Sequence, residues 1–232
     1  MNYYYFIAGM PDISQSNPKS IPDLKILREE LQEELSSGDF KLFSLIADGI
    51  ENADVKQYVS RWERDPETEE TIELSEEQRA TLYYEYGMKS RNKFVREWFE
   101  FNLNVNNILT AIICRNNGWD IRKAVVGNNS VAESIRENST VRDFNLKAIL
   151  DYYPTLQQII DTENLMEREQ KIDALKWQWL EDNSFFNFFG IEKIISFYIR
   201  CSLLERWNIL TIEEGERIFR EIIDNLKKDV KF

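Results

Sequence analysis

The side chains in this sequence best suited to chemistry are carboxylates. Glu69 and Glu70, or Glu76 and Glu77, stand side by side and could share general acid and base work. Such a pair needs a partly apolar cleft that drives the two pKa values apart. These carboxylates instead lie in a run from Glu63 to Glu77 that holds eight acidic residues and one Arg, which reads as a solvated loop. The chain has no His, so Ser-His and Cys-His nucleophile systems and His metal sites are excluded. It also has no P-loop, no Gly-rich phosphate cradle and no CxxC pair, which removes the common nucleotide and zinc readings. No catalytic residue, cofactor or metal ligand is expected.

Two further constellations carry polar or aromatic chemistry. Asn102, Asn104, Asn106 and Asn107 interrupt an otherwise apolar helical stretch, although Asn is a poor helix former and a buried amide must find partners. Either they lie on an outer face, or they bond between helices, or they line a surface that meets a partner. Phe185, Phe186, Phe188 and Phe189 bracket Asn187 just before Gly190. Core packing is the expectation for them, and an exposed docking patch is the alternative.

The elements that must position these residues read as helical. Tyr3 to Ala8 is β-prone and followed by Gly9 and Pro11, which predicts a short strand or extended segment. Ser20 to Asp23 gives a helix start, Leu24, Leu27, Leu31 and Leu35 follow at helical spacing, and Gly38 is the expected stop. Phe40–Ile50 and Val55–Trp62 read as two short helices, with Leu42, Leu45, Ile46, Tyr58 and Trp62 supplying the inward face. Ser75 and Gln78 have the spacing of a capping box, so a helix should start there and end before Gly87. Phe94, Trp98, Phe101, Val105, Ile108, Leu109, Ile112 and Ile113 form one stripe of a long helix that stops near Gly118. Residues 118–139 are the most loop-like stretch of the middle and the expected seam if a single helical domain over 1–232 divides into two lobes. Helices are then expected near 141–150, 165–180, 191–208 and 212–226, with Leu165, Ile172, Leu175 and Trp179 sharing a face of the second. The fold class is all-α, a multi-helix bundle or funnel-like array.

Composition narrows the function classes. The net charge of −12, with Lys and Arg spread along the chain, argues against a nucleic-acid partner. The longest apolar stretch, 194–204, contains Arg200 and is shorter than the roughly 20 residues a membrane span needs. The first residues lack the flank of a targeting peptide. Cys114 and Cys201 sit in apolar helical patterns and read as buried thiols in a reducing, cytoplasmic setting.

The segment 191–210, IEKIISFYIRCSLLERWNIL, resembles a helix of the V-type and archaeal A-type ATPase subunit called C or d, an apolar helix ending in Glu, a pair containing Arg, then Asn and aliphatics. Residues 101–115, FNLNVNNILTAIICR, are similar to that family's Asn-rich aliphatic helix ending in a basic residue. The opening Tyr4 to Pro11 looks like a bacterial group of shortened relatives encoded among V-type ATPase genes. The resemblance implies a non-catalytic coupling or assembly subunit, cytoplasmic or peripheral on the inner face of the membrane, that links the central-shaft subunits to the proteolipid ring. On that reading Asn102, Asn106, Glu205 and Arg206 are the candidate polar groups that face the shaft or brace the wall. The alternative is an independent helical adaptor that binds a partner protein through an apolar groove.

Overall fold

The computed structural model describes residues 3–15, 17, 21–64 and 71–209. The described residues are all-α, with an isolated antiparallel bridge between Arg64 and Thr71 and no strand. By compactness the chain divides into one unit of residues 1–40 and 187–232 and another of 41–186. Residues 118–139 fall inside the second.

The first unit contains α1 (Tyr4–Gly9), α2 (Leu24–Glu34), the first turn of α3 (Ser37–Ala47) and α11 (Ile191–Ile209). The expected N-terminal strand is therefore a helix. Its β propensity loses to tertiary anchoring: the Tyr3 N–H donates to the Phe189 carbonyl at 2.8 Å, and the Ile7 N–H donates to the Tyr3 carbonyl at 3.0 Å. Asp23 caps α2 by accepting from the Lys25 and Ile26 N–H groups, and Leu27 and Leu31 form its buried stripe as the spacing predicts. Gly38 does not stop that helix. The chain turns at Leu35 into extended backbone, and Gly38 lies inside the next helix. Ser36 supplies the stronger local signal, because its hydroxyl accepts from the Asp39 N–H at 3.2 Å and donates to the Asp39 carboxylate at 2.9 Å. α11 packs against α2 and buries Ile194, Ile195, Phe197, Cys201 and Leu204.

The second unit runs from the rest of α3 through a 3-10 turn (Gly49–Glu51), α4 (Ala53–Val59), α5 (Glu76–Met88), α6 (Lys93–Asn117), α7 (Ile121–Ala124), α8 (Ser130–Glu137), α9 (Tyr153–Ile160) and α10 (Leu165–Ser184). The capping box at Ser75 forms as expected, with the hydroxyl accepting from the Gln78 N–H and the Gln78 side chain accepting from the Ser75 N–H. α5 nevertheless continues through Gly87, because that glycine is a packing residue: a Cβ there would lie 2.2 Å from the Phe99 ring. α6 packs against α5, α7, α8, α9 and α10, and ends at Gly118, whose φ of 71° closes the C-terminus in the left-handed region. Its Phe94, Trp98 and Phe101 all meet Trp179 of α10, the last nearly coplanar at 5.1 Å.

Several expectations need correction here. Of the face expected on α10, Ile172 is buried and Trp179 packs on α6, but Leu165 is 70% exposed; the other buried apolar residues of the helix are Trp177 and Leu180. The loop-like stretch 118–139 carries α7 and α8, capped by Asp120 and Asn129. The helix expected near 141–150 is a series of turns, with Phe144 and Asn145 at positive φ. Arg115 of α6 explains this. Its guanidinium donates to the carbonyls of Arg142 (2.6 Å), Val141 (2.7 Å) and Ser139 (3.1 Å) and lies 4.0 Å above the buried Phe144 ring. Carbonyls that a helix would have used are taken by the arginine. The helix expected over 212–226 lies outside the described residues.

Candidate functional site

The asparagines of α6 divide among three neighbouring elements. Asn102 and Asn106, one turn apart, both direct their amide nitrogens at the Tyr84 hydroxyl of α5, at 3.4 and 3.1 Å. Asn104 is 4% exposed; its carbonyl oxygen accepts from Asn129, the cap of α8, at 2.7 Å, and it bonds the hydroxyl of Tyr152 just before α9. Asn107 is 3% exposed and grips the backbone of Val126 twice, donating to its carbonyl at 2.7 Å and accepting from its N–H at 3.0 Å. The four amides thus bond between elements, one of the alternatives left open by sequence. Such a network fixes packing geometry, since leaving any buried member unpaired is costly.

One oxygen of this set stands apart. The Asn102 Oδ1 is buried and has no hydrogen-bond partner among the described residues. Of the four candidate residues, then, Asn102 and Asn106 are brought together on Tyr84. Glu205 and Arg206 belong to the other unit, where both are exposed near the end of α11, and the Arg206 guanidinium lies 5.7 Å from the Trp207 ring.

The tyrosines around the asparagines are shifted upward. Burial, and next the neighbouring Tyr84, push the Tyr83 hydroxyl up; burial does the same for Tyr84 and Tyr152, opposed by hydrogen bonds from Asn106 and Asn104 respectively. Burial pushes the Cys201 thiol up to about 12. A folded pKa above the unfolded one means that stability is fully present below the unfolded value and falls as the pH rises towards the folded one. With tyrosine's ordinary value at 10.0, unfolding is expected to begin above about pH 10, with the tyrosinate absorbance of the buried Tyr83, Tyr84 and Tyr152 appearing together with loss of helical circular dichroism, after that of the exposed tyrosines such as Tyr5. Titration of all ten tyrosines with unchanged helicity would contradict the buried placement. Because the chain has no His, no side chain should bend the stability curve between the carboxylate and thiol ranges.

The carboxylate pairs behave differently from an acid and base pair. Glu69 and Glu70 lie outside the described residues. Glu76 and Glu77 occupy the exposed first turn of α5, where the helix dipole favours negative charge, and a hydrogen bond with Ser75 holds Glu77 below its ordinary value. Among the described residues no group of three or more His, Cys, Asp or Glu side chains could hold a metal ion. No helix among them is long and apolar enough to cross a membrane.

The aromatic run departs from the core packing expected of it. Phe185 and Phe186, at the end of the second unit, are 57% and 83% exposed. In the first unit Phe188 and Phe189 are exposed beside α1, whose Tyr4 ring lies 4.9 Å from Phe189 and 5.5 Å from Tyr5. Tyr5 is 90% exposed. Composition pointed to α1 only as a β-prone stretch, so its contribution to this surface was missed. Tyr84 and Tyr152 were missed too, although the one-turn spacing of Asn102 and Asn106 signals a shared partner.

A family model described as a protein of unknown function (DUF2764) matches residues 1–80 and 55–230 of the chain. No curated protein and no solved structure matches it.

Proposed function

We propose that this chain, which belongs to the family of proteins of unknown function DUF2764, is a non-catalytic coupling or assembly subunit of a bacterial V-type ATPase. Its partners on this reading are the central-shaft subunits and the proteolipid ring, met at the cytoplasmic face of the membrane. Two things support it: the resemblance carried by α6 and α11, and the aromatic surface of the first unit. That surface is the observation that carries the interaction part of the reading. Tyr4, Tyr5, Phe188 and Phe189 stay exposed, although each aromatic side chain gains on the order of 1.5–3 kcal/mol from burial. Rigid, amphipathic aromatic residues with little rotamer entropy to lose are the side chains that anchor protein interfaces.

A mechanical subunit needs shape and pairing rather than a reacting group. The asparagine seams suit such work, because directional bonds between α6 and its neighbours resist sliding under load in a way that apolar contacts alone do not. A helical adaptor outside any ATPase would use the same aromatic surface, so partner identity separates the two readings.

The Tyr5→Ser, Phe188→Ser double variant is expected to lose co-purifying partners at least tenfold, by quantitative mass spectrometry of tagged protein from native membranes. Its melting midpoint should stay within about 2 °C of the parent, because surface substitutions away from the core usually change stability by about 0.5 kcal/mol or less. Full retention of partners by a folded double variant would remove the aromatic surface from the account.

A further inference from the structure

The four exposed rings of the first unit form a composite surface. Tyr5 meets Tyr4 at 5.5 Å, Tyr4 meets Phe189 at 4.9 Å and Phe189 meets Phe188 at 6.4 Å, so the row of rings crosses from α1 to the connection before α11. Its geometry therefore depends on how α1 is held. α1 has few of the local devices that sustain a helix: it is six residues long, with no side-chain cap, no acidic residue in its first turn, no basic residue in its last and no buried residue. A helix that short does not persist in water by propensity alone. Its anchor is the residue immediately before it. Tyr3 is 6% exposed; its N–H donates to the Phe189 carbonyl at 2.8 Å and its carbonyl accepts from the Ile7 N–H at 3.0 Å. The Tyr3 hydroxyl accepts from the Ser36 N–H at 3.2 Å and donates to the Asp39 carboxylate at the start of α3. Burial, and next the bond to Asp39, push the pKa of this hydroxyl upward, which keeps it a donor. One residue thus ties the start of α1 to two stretches distant in sequence.

We infer that Tyr3 is the positioning residue of the aromatic surface, a latch whose bond to Asp39 holds α1 folded against residues 187–190 so that the four rings meet a partner as one face. The buried Tyr3 has little area to offer a partner and acts through the rings. The inference rests on the reading of that face as a docking surface. A general contribution to stability is separated from a latch by what Tyr3→Phe leaves in place. The ring still fills its site and the backbone bond to Phe189 remains. The Ser36 hydroxyl still donates to Asp39 at 2.9 Å and accepts from the Asp39 N–H at 3.2 Å, so the start of α3 stays capped. The substitution weakens the attachment of α1.

The test compares Tyr3→Phe, Asp39→Ala and the two combined, in the full chain, with the Tyr5→Ser, Phe188→Ser variant and Gly87→Ala as references. In Tyr3→Phe, amide hydrogen exchange of the purified protein should rise roughly tenfold over residues 4–10, the scale of one hydrogen bond to a charged acceptor, and change less than about twofold in α2 and α11. Recovery of partners from native membranes should fall at least about fivefold. The combined variant should lose no more than the worse single one, because both act through one contact. Gly87→Ala, which perturbs the other unit, should keep its partners. Equal loss of partners by Gly87→Ala would reduce the effect to stability and overturn the latch. So would unchanged exchange in α1, or full recovery by Tyr3→Phe where Tyr5→Ser, Phe188→Ser loses its partners. If that reference variant keeps its partners, the docking reading of the face fails separately, and exchange in α1 alone decides whether Tyr3 holds the helix.

Discussion

Replacing Gly87 by Ala is expected to destabilise the chain by at least about 2 kcal/mol, against the sign that helix propensity alone predicts. Gly87 lies inside α5, where Ala is intrinsically favoured by about 1 kcal/mol. The added Cβ would sit 2.2, 2.3 and 2.4 Å from three carbons of the Phe99 ring. Relief by a swinging side-chain tip is unavailable, because one of the three is Cγ at the base of the ring. Phe99 is itself 2% exposed and wedged edge-on against Tyr83 and Tyr84 at 5.1 and 6.2 Å. Accommodation requires α5 and α6 to separate or the ring to leave its place, so the steric effect wins. At about 2–4 °C per kcal/mol for a chain of this size, the melting midpoint should fall by about 4 °C or more. Gly38→Ala is the contrast: nothing lies within 4 Å of its added Cβ and it sits in the first turn of α3, so a gain of about 0.5–1 kcal/mol is expected. Equal melting of Gly87→Ala and the parent would show that the α5–α6 contact is looser than described.

The second large effect is expected from Asn107→Leu, a swap of similar volume that deletes two hydrogen bonds to the backbone of one residue. Val126 would lose the acceptor of its N–H and the donor to its carbonyl at once. An unsatisfied buried group costs about 1–3 kcal/mol, and since Val126 is only half-buried, water recovers part of that; a net loss of about 2–3 kcal/mol follows. The apolar gain of a leucine on α6 does not offset it, because that position faces a backbone rather than a side-chain pocket. Amide hydrogen exchange should rise first in the connection from α7 to α8, around Val126 and Gly127, before the aromatic seam of α6 and α10 opens. A calorimetric midpoint equal to the parent's, with unchanged exchange at Val126, would contradict the clamp.

What the sequence disclosed follows the range of the interactions involved. The Ser75 capping box, the long α6 with its left-handed Gly118 and the apolar α11 depend on groups within a few residues of one another, and all were legible. α1 was misread because its helix is anchored by Phe189, far along the chain. The turns over 139–150 were misread because the arginine that takes their carbonyls lies on α6, some 25 residues earlier. Gly38 and Gly87 looked like stops, yet one is overruled by the Ser36 cap and the other exists for a close approach. The site was legible only as residue types. Asn102, Asn104, Asn106 and Asn107 announced a need for partners, but Tyr84, Asn129, Tyr152 and Val126 could be named only once the helices were packed. The four phenylalanines around Asn187 suggested a core by hydrophobicity. The short connection between α10 and α11 cannot turn neighbouring rings all to one side, and they remain exposed.

The most direct measurement of the central proposal is affinity purification of the tagged chain from its native membranes at low salt, with mass spectrometry of the proteins recovered. A coupling or assembly subunit predicts central-shaft and proteolipid subunits of the V-type ATPase in the eluate, at levels that exceed a mock purification. Their absence, with the intact ATPase demonstrably present in the same extract, would contradict the account.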